Sequence, residues 1–308
     1  MQLLTDFESV MAFLASNGNG RSKVAVACPH DSHTIEAVEN ALAKGFADFI
    51  LVGRADNPEA TRLEKDFPGR VERIAHDDSD KAAAAAVSLV RQGRADVLMK
   101  GLLNTDNLLR AVLNKESGIL APGAVLSHVT ASEIPGMGRL LFFSDPAVIP
   151  CPTPAQHAEI VGYLASVCRA FGIERPRIAL IHCNEKTSPK FPVTEGYASI
   201  KADAASGRFG NAVVDGPMDV KTALDPHSGE VKGINSPIQG RADALVFPDI
   251  QAGNVFYKTI SFFAGSLNAG MLMGAKAPVV LPSRSDSSQS KLCSLAMACL
   301  YSSITTQT

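Results

Sequence analysis

The sequence predicts an α/β protein with two doubly wound lobes, each a parallel sheet covered by helices. Three observations carry this prediction. The chain has 308 residues, more than one ordinary core needs and enough for two. Hydrophobic residues make up 46% and aromatics 6%, with no Trp, so an aliphatic core is expected. Such a composition suits strands buried on both faces, which read as short Val/Ile/Leu runs. Those runs alternate with segments of helical spacing, the pattern of strand–helix–strand units.

Taken in order, residues 6–16 read as an opening helix, and KVAVACP (23–29) as a buried strand stopped by Pro29. HTIEAVENALAKG (33–45) has helical periodicity and a Gly stop. DFILVG (48–53) is a strand, KAAAAAVSLVRQG (81–93) a helix of strong formers, and ADVLMKG (95–101) a strand. TDNLLRAVLNKESG (105–118) reads as a helix with Thr105 as its cap. A second set follows: strands 124–129 and 139–145, helix 155–172, then strands 177–183, 212–218 and 242–249, and helix 253–265. Strand 277–281 and helix 287–300 close the chain, while 184–210 reads as a polar loop-and-helix excursion. There is no repeat and no low-complexity tract.

The charge balance is 29 basic against 31 acidic residues, with no basic stripe or arm, so nucleic acid is not an expected partner. The N-terminus MQLLTDFESV carries acids where a signal peptide has lysines, and no apolar span reaches membrane length. The six Cys form no CxxC pair and are expected to be reduced, mostly buried thiols of a cytoplasmic protein.

In open α/β sheets, ligands bind where a strand's carboxyl end turns toward the next helix. Four such turns are polar: MKGLLNTD (99–106), SHVTASE (127–133), FPDIQAGN (247–254) and SRSDSSQS (283–290). Lys100 and Gly101, with Asn104 in the same turn, would suit a phosphate, although taken alone an ordinary surface lysine and a turn glycine are the better reading. His128 follows Ser127 inside a strand run, where a hydrogen-bonded core histidine is the commoner case. Asp249, Gly253 and Asn254 read as turn chemistry, yet Lys258 lies four residues past Asn254 on the same helix face. In the last turn, Ser287 or Ser288 caps a helix, which leaves Ser283, Arg284 and Asp286 unexplained. No GxGxxG, GxxxxGK[ST] or GxSxG motif is present. His30, Asp31 and His33 are too few for a metal site, and Cys28 and Cys183 at strand ends are better read as buried thiols than as nucleophiles.

The stretches MKGLLNTDNLLRAVLNKESGI, LSHVTASEIPGMGRLLFFSD, PVTEGYAS, VDGPMD, SPIQGRADALVFPDIQAGNVFYK and LPSRSDSSQSKL resemble the phosphate acetyltransferase and phosphate butyryltransferase family from about Val97 to Cys299. The resemblance implies two α/β lobes flanking a cleft, similar to isocitrate and isopropylmalate dehydrogenases. The first lobe would be 1–120 plus the returning 275–308, and the second 121–274. It also implies exchange of an acyl group between coenzyme A and inorganic phosphate, through an acyl phosphate, with no bound cofactor or metal. A homodimer or higher homo-oligomer is implied too. The family's Ser-Arg pair falls on Ser283 and Arg284, with the arginine binding phosphate and the serine near the reacting carbonyl. Its Pro-Asp, Gly-Asn and Tyr-Lys positions fall on Pro248, Asp249, Gly253, Asn254, Tyr257 and Lys258. Its Thr-Glu pair falls on Thr194 and Glu195.

Three positions depart from the acetyl-type pattern. The acid seven residues after the serine is replaced by Ser290. The arginine four residues after the lysine is replaced by Phe262. A third arginine matches Leu109 or Arg110, depending on a one-residue shift. The spellings MKGL, LSHV and SRSDS are similar to the butyryl branch, which lacks the acid and takes longer acyl groups. Asp286 or Glu195 is then expected to supply the base, or the thiolate to bind directly. Two other classes fit less well. A metal- and NAD-dependent decarboxylating dehydrogenase needs clustered carboxylates, whereas Asp249 and Asp286 stand alone in their turns. A non-catalytic coenzyme A sensor does not need the intact Ser-Arg pair.

Overall fold

The computed structural model describes residues 2–16, 20–283 and 286–305. It divides into two compact units, Phe7–Leu126 with Asn268–Thr308, and Met1–Asp6 with Ser127–Leu267. The sequence places the boundaries at 120/121 and 274/275, and the structure at 126/127 and 267/268. The N-terminal segment goes with the second unit because the Leu4 N–H donates to the Phe171 carbonyl at 3.0 Å and its side chain is buried.

The first unit opens with α1 (Phe7–Ser16), β1 (Ser22–Ala27), α2 (Ser32–Lys44), β2 (Ala47–Gly53), α3 (Pro58–Asp66), β3 (Val71–Ala75), α4 (Ser79–Arg91), β4 (Val97–Lys100) and α5 (Thr105–Val112). The second unit follows with β5 (Ser127–Glu133), β6 (Leu140–Ser144), α6 (Pro154–Ala170), β7 (Arg177–Ile181), α7 (Pro192–Ala205), β8 (Val213–Met218), α8 (Val220–Leu224), α9 (Pro226–Lys232), β9 (Ala244–Val246) and α10 (Ile250–Phe263). The chain then returns to the first unit through β10 (Leu267–Met273), β11 (Val279–Val280) and α11 (Ser288–Thr305).

Strand order in the first unit is β3-β2-β1-β4-β11-β10, parallel except that β10 runs against β11. In the second unit it is β5-β6-β9-β7-β8, parallel except for the β5/β6 pair. Several of the crossover helices begin at side-chain caps that satisfy their first N–H groups. Asp31 caps α2, Asn57 caps α3, Asp78 caps α4 and Asp249 caps α10. At α6, Thr153 and Gln156 form a reciprocal capping box.

Several expected elements differ. The edge strand β3 and helix α3 escape the sequence reading because both are half-exposed and polar, VERIA and PEATRLEKD. Helix α5 ends at Val112 rather than Gly118. Asn114 folds the chain back by accepting from the Glu116 and Ser117 N–H groups at 2.9 Å each. Gly118 is needed there, since a Cβ would lie 2.3 Å from the Val112 oxygen. Thr105 is not the cap: Asn104 holds that position without a side-chain bond. The aliphatic-core expectation fits the first unit, where Val24, Val26, Ile50, Leu98 and Leu295 are fully buried. It fits the second unit too, where Leu141, Ala179, Ile238 and Leu245 are fully buried, joined by Phe143 edge-on to Phe256 at 5.2 Å and Phe247 at 6.1 Å. No helix among the described residues is long and apolar enough to cross a membrane. Four cysteines are buried, but Cys151 and Cys183 are exposed, so Cys183 is not the buried thiol expected from its place at a strand end.

Candidate active site

In the first unit, β1 and β4 are neighbours, and their carboxyl ends touch. The Gly101 N–H donates to the Ala27 carbonyl at 2.8 Å and the Leu102 N–H to the Cys28 carbonyl at 2.7 Å. A Cβ on Gly101 would lie 2.2 Å from the Cys28 oxygen, so only glycine permits this approach. Lys100 is therefore not the surface lysine that its type suggests. It is 3% exposed, and its ammonium donates to the Gly101 and Leu103 carbonyls at 3.3 and 3.2 Å. The Cys28 thiol is pushed up to about 11 by burial, helped by the charges of Asp78 and Asp80, which makes it a poor nucleophile.

After β11, Ser283 and Asp286 are hydrogen-bonded to each other. The Ser283 N–H donates to the Asp286 carboxylate at 2.8 Å, and the Asp286 N–H to the Ser283 carbonyl at 3.2 Å. Asp286 thus holds the Ser283 backbone in place. Arg284 lies outside the described residues. Ser287 is the cap of the two expected, accepting from the Ser290 N–H at 3.2 Å, and its hydroxyl lies 3.3 Å from that of Ser290. Lys100, Gly101 and Ser283 line one cavity of about 90 Å³ together with Asp31, His33 and Lys291.

Lys291 was not singled out by its sequence context, and Asp31 was weighed only beside His30 and His33 as a metal ligand. Lys291 is 3% exposed on α11, with its ammonium 2.7 Å from Asp31 Oδ1 and 3.0 Å from Thr34 Oγ1. Burial alone would raise the Asp31 carboxyl. The Lys291 and Thr34 hydrogen bonds outweigh it and hold the group below its ordinary value. One signal was present: a lysine inside the apolar run KLCSLAMACL must find a charge partner.

In the second unit, the candidates gather around a residue that the sequence reading overlooked. Asp145 follows β6 and is 2% exposed. Its Oδ2 accepts from the Ser127 hydroxyl at 2.9 Å and the His128 and Ile149 N–H groups at 3.2 and 3.3 Å. Its Oδ1 accepts from the Ala147 and Val148 N–H groups at 2.8 and 2.9 Å. The Ser144 hydroxyl completes the cluster 3.0 Å from that of Ser127. The His128 ring nitrogen Nδ1 sits 3.2 Å from the Thr130 hydroxyl.

Helix α10 packs directly onto this turn. A Cβ on Gly253 would lie 2.6 Å from the Asp145 carbonyl oxygen. Asp249 caps the helix by accepting from the Ala252 N–H at 2.8 Å, and the Asn254 amide donates to the Pro146 carbonyl at 3.0 Å. Lys258 sits one turn further on, its ammonium 4.8 Å from the centre of the Tyr257 ring. The helix continues to Phe262, which is 80% exposed and edge-on to Phe263. Glu195 belongs to another element, the first turn of α7, where it is exposed. Its neighbour Thr194 is buried and ties the preceding loop by accepting from the Ser188 N–H at 3.0 Å and donating to the Phe191 carbonyl at 2.7 Å. Arg110 is spent near Asp80, 4.0 Å away.

The chain matches known proteins over most of its length. A family profile described as phosphate acetyl/butaryl transferase covers residues 64–299. A phosphate butyryltransferase of Clostridium acetobutylicum is 41% identical over 283 residues, 90% of this chain and 92% of that protein. A phosphate acetyltransferase of Thermotoga maritima is 33% identical, covering 93% and 97%. Among solved structures, a branched-chain phosphotransacylase from Enterococcus faecalis V583 superposes with a TM-score of 0.78 at 31% identity, covering 91% of this chain and 99% of that one. With these lengths and identities, the chain belongs to the phosphate acetyl/butaryl transferase family and is a phosphate acyltransferase.

Proposed function

We propose that the protein catalyses acyl-CoA + phosphate = acyl phosphate + CoA by direct attack in a ternary complex, with a preference for butyryl-type acyl groups. The observation that carries the mechanism is the cavity at the carboxyl ends of β4 and β11, where Ser283 stands beside two buried lysines. The coenzyme A sulfur attacks the carbonyl of the acyl phosphate. Arg284 holds the departing phosphate, and the Ser283 hydroxyl donates to the developing oxyanion. The thiol proton passes to a carboxylate, Asp286 or Glu195, or is lost to water before attack. No acyl-enzyme is needed, and the elevated Cys28 thiol supports that reading. The chain works without a bound cofactor and acts as a homo-oligomer in this proposal.

The hydroxyl at Ser290 does not undermine the chemistry. Ionising a thiol of pKa about 8.5 at pH 7 costs roughly 2 kcal/mol. Alignment of two bound reactants supplies about 7–11 kcal/mol. The missing acid is the smaller of the two effects.

Phosphate-dependent release of coenzyme A from acetyl-, propionyl-, butyryl- and isovaleryl-CoA, compared by kcat/KM, tests the proposal. The butyryl and isovaleryl substrates are expected to lead. A clear lead for acetyl-CoA would replace the butyryl preference with an acetyl one, and coenzyme A binding without any turnover would sink catalysis. Arg284→Ala is expected to raise the phosphate requirement. Ser283→Ala is expected to lower kcat by about 10²-fold or more with little change in coenzyme A binding.

A further inference from the structure

The reaction proposed above removes a proton from the coenzyme A thiol, and the lining of the cavity limits what can receive it. Ser283, Lys100 and Lys291 share that lining with Asp31, Ser32 and His33. A lysine ammonium has three donors and no lone pair, so neither lysine accepts a proton. Both already donate, Lys100 to the Gly101 and Leu103 carbonyls and Lys291 to Asp31 and Thr34. Asp31 is committed as well: its Oδ1 meets the Lys291 ammonium at 2.7 Å and the Thr34 N–H at 2.9 Å. Burial raises its carboxyl, but those bonds outweigh burial and hold it below its ordinary value, which makes it a weak base. The two carboxylates considered above are not among the lining residues. Asp286 is engaged by the Ser283 N–H at 2.8 Å, and Glu195 belongs to the second unit.

His33 is the lining residue that is left. It is the second residue of α2, it is exposed, and its ring makes no hydrogen bond to another described residue. Its place is fixed by the fold. The Asp31 cap sets the first turn of α2, and Lys291 ties that cap to α11. An imidazole is also the side chain whose ordinary chemistry exchanges a proton between pH 5 and 8. The charged and titratable groups around it are Asp31 in its own turn, Glu36 one turn along α2, Lys100 at the end of β4 and Lys291 on α11. His30, just before the cap, has its Nε2 taken by the Arg54 N–H at 3.2 Å.

We infer that His33 is the general base of this enzyme, a catalytic residue that takes the coenzyme A thiol proton as the sulfur attacks. This rests on the reaction proposed above and names its proton acceptor. The S–C bond forms while the C–O bond to phosphate breaks, and the phosphate leaves with that electron pair. The imidazolium then hands its proton to the departing phosphate, so the cycle neither gains nor loses one. In the opposite direction the same ring takes a proton from inorganic phosphate and returns it to the sulfur. The acid that Ser290 replaces on α11 is thus substituted by a base on α2.

The test measures acyl transfer from butyryl phosphate to coenzyme A by the wild type, His33→Gln and His33→Ala, between about pH 6 and about pH 9. Loss of a general base is expected to lower kcat at pH 7 by about 10²-fold in both variants. The coenzyme A KM should stay within about two-fold. The deficit should shrink above about pH 8.5, where a free thiol ionises unaided. Imidazole added to the buffer should restore part of the His33→Ala rate. His33 is exposed, so both variants should fold, and far-UV circular dichroism checks this. A kcat within about three-fold of wild type at pH 7 would overturn the inference. So would a fall that is the same at every pH and unrelieved by imidazole, since that is what a structural role produces. A wild type that makes no acyl-CoA would remove the proposed reaction and its base together. An active wild type matched by both variants would remove only the base.

Discussion

At the end of β4 and at the end of β6, a glycine lets two backbone segments meet, but the charge buried beside each contact is opposite. Gly101 brings the first unit's chain against Cys28 and leaves Lys100 and Lys291 in the wall of a cavity. Gly253 brings α10 against Asp145, whose carboxylate is saturated by one hydroxyl and four backbone N–H groups. The carboxylate's donors are all internal, so its task is to fix the turn whose Pro146 carbonyl accepts from the Asn254 amide of α10. The two lysines instead line a cavity, Lys291 paired with Asp31 and Lys100 donating to the Gly101 and Leu103 carbonyls. One contact buries a negative group that fixes a turn, the other buries positive groups in a cavity wall.

The largest effect expected from this contrast is at Asp145. Asp145→Ala would strand several buried donors at once and should cost about 3 kcal/mol or more in urea unfolding. A loss below about 1 kcal/mol would mean water replaces the carboxylate, and the scaffold reading would break. Next comes Gly101→Ala, where a methyl must displace the Cys28 backbone, expected to cost about 1–3 kcal/mol. Gly229→Ala is a matched control, since the nearest atom to its Cβ is 3.9 Å away, and it should be neutral or slightly stabilising.

The smallest effect is a pH dependence in the second unit. Burial holds the His157 imidazole below its ordinary value, outweighing its hydrogen bond with the Phe247 carbonyl at 3.2 Å. A depressed folded value means that the unfolded chain takes up the proton first as pH falls. Stability from this group is therefore complete above about pH 6.5 and declines as the pH drops below it. His157→Gln should flatten the fall in urea midpoint between pH 7.5 and 5.5. The first unit's His30 is also depressed, by burial and then Arg54, so part of the slope should survive the substitution.

Alternation of apolar runs and helical spacing made the interior strands legible, and the serine-rich turn before the last helix made a cap legible at Ser287 or Ser288. What stayed hidden depends on distance along the chain. Lys291 finds its partner 260 residues away, and no local pattern encodes that pairing. Asp145 looks like the polar end of the strand RLLFFSD, and only the fold gathers its donors from β5 and the following loop. Lys100 was readable as a candidate, but its burial follows from the Gly101–Cys28 contact across two strands. Edge strand β3 was hidden for another reason: half its face meets water, which erases the apolar signature.

Cys28 gives the cavity's surroundings a chemical consequence. With its thiol near 11, about one molecule in ten thousand carries the thiolate at pH 7, against about three in a hundred for an ordinary cysteine. Thioesters and acyl phosphates both acylate thiolates. A catalyst that handles such compounds next to its own sulfur risks becoming their product. A sulfur held in its protonated form does not compete with the substrate's thiol for such compounds.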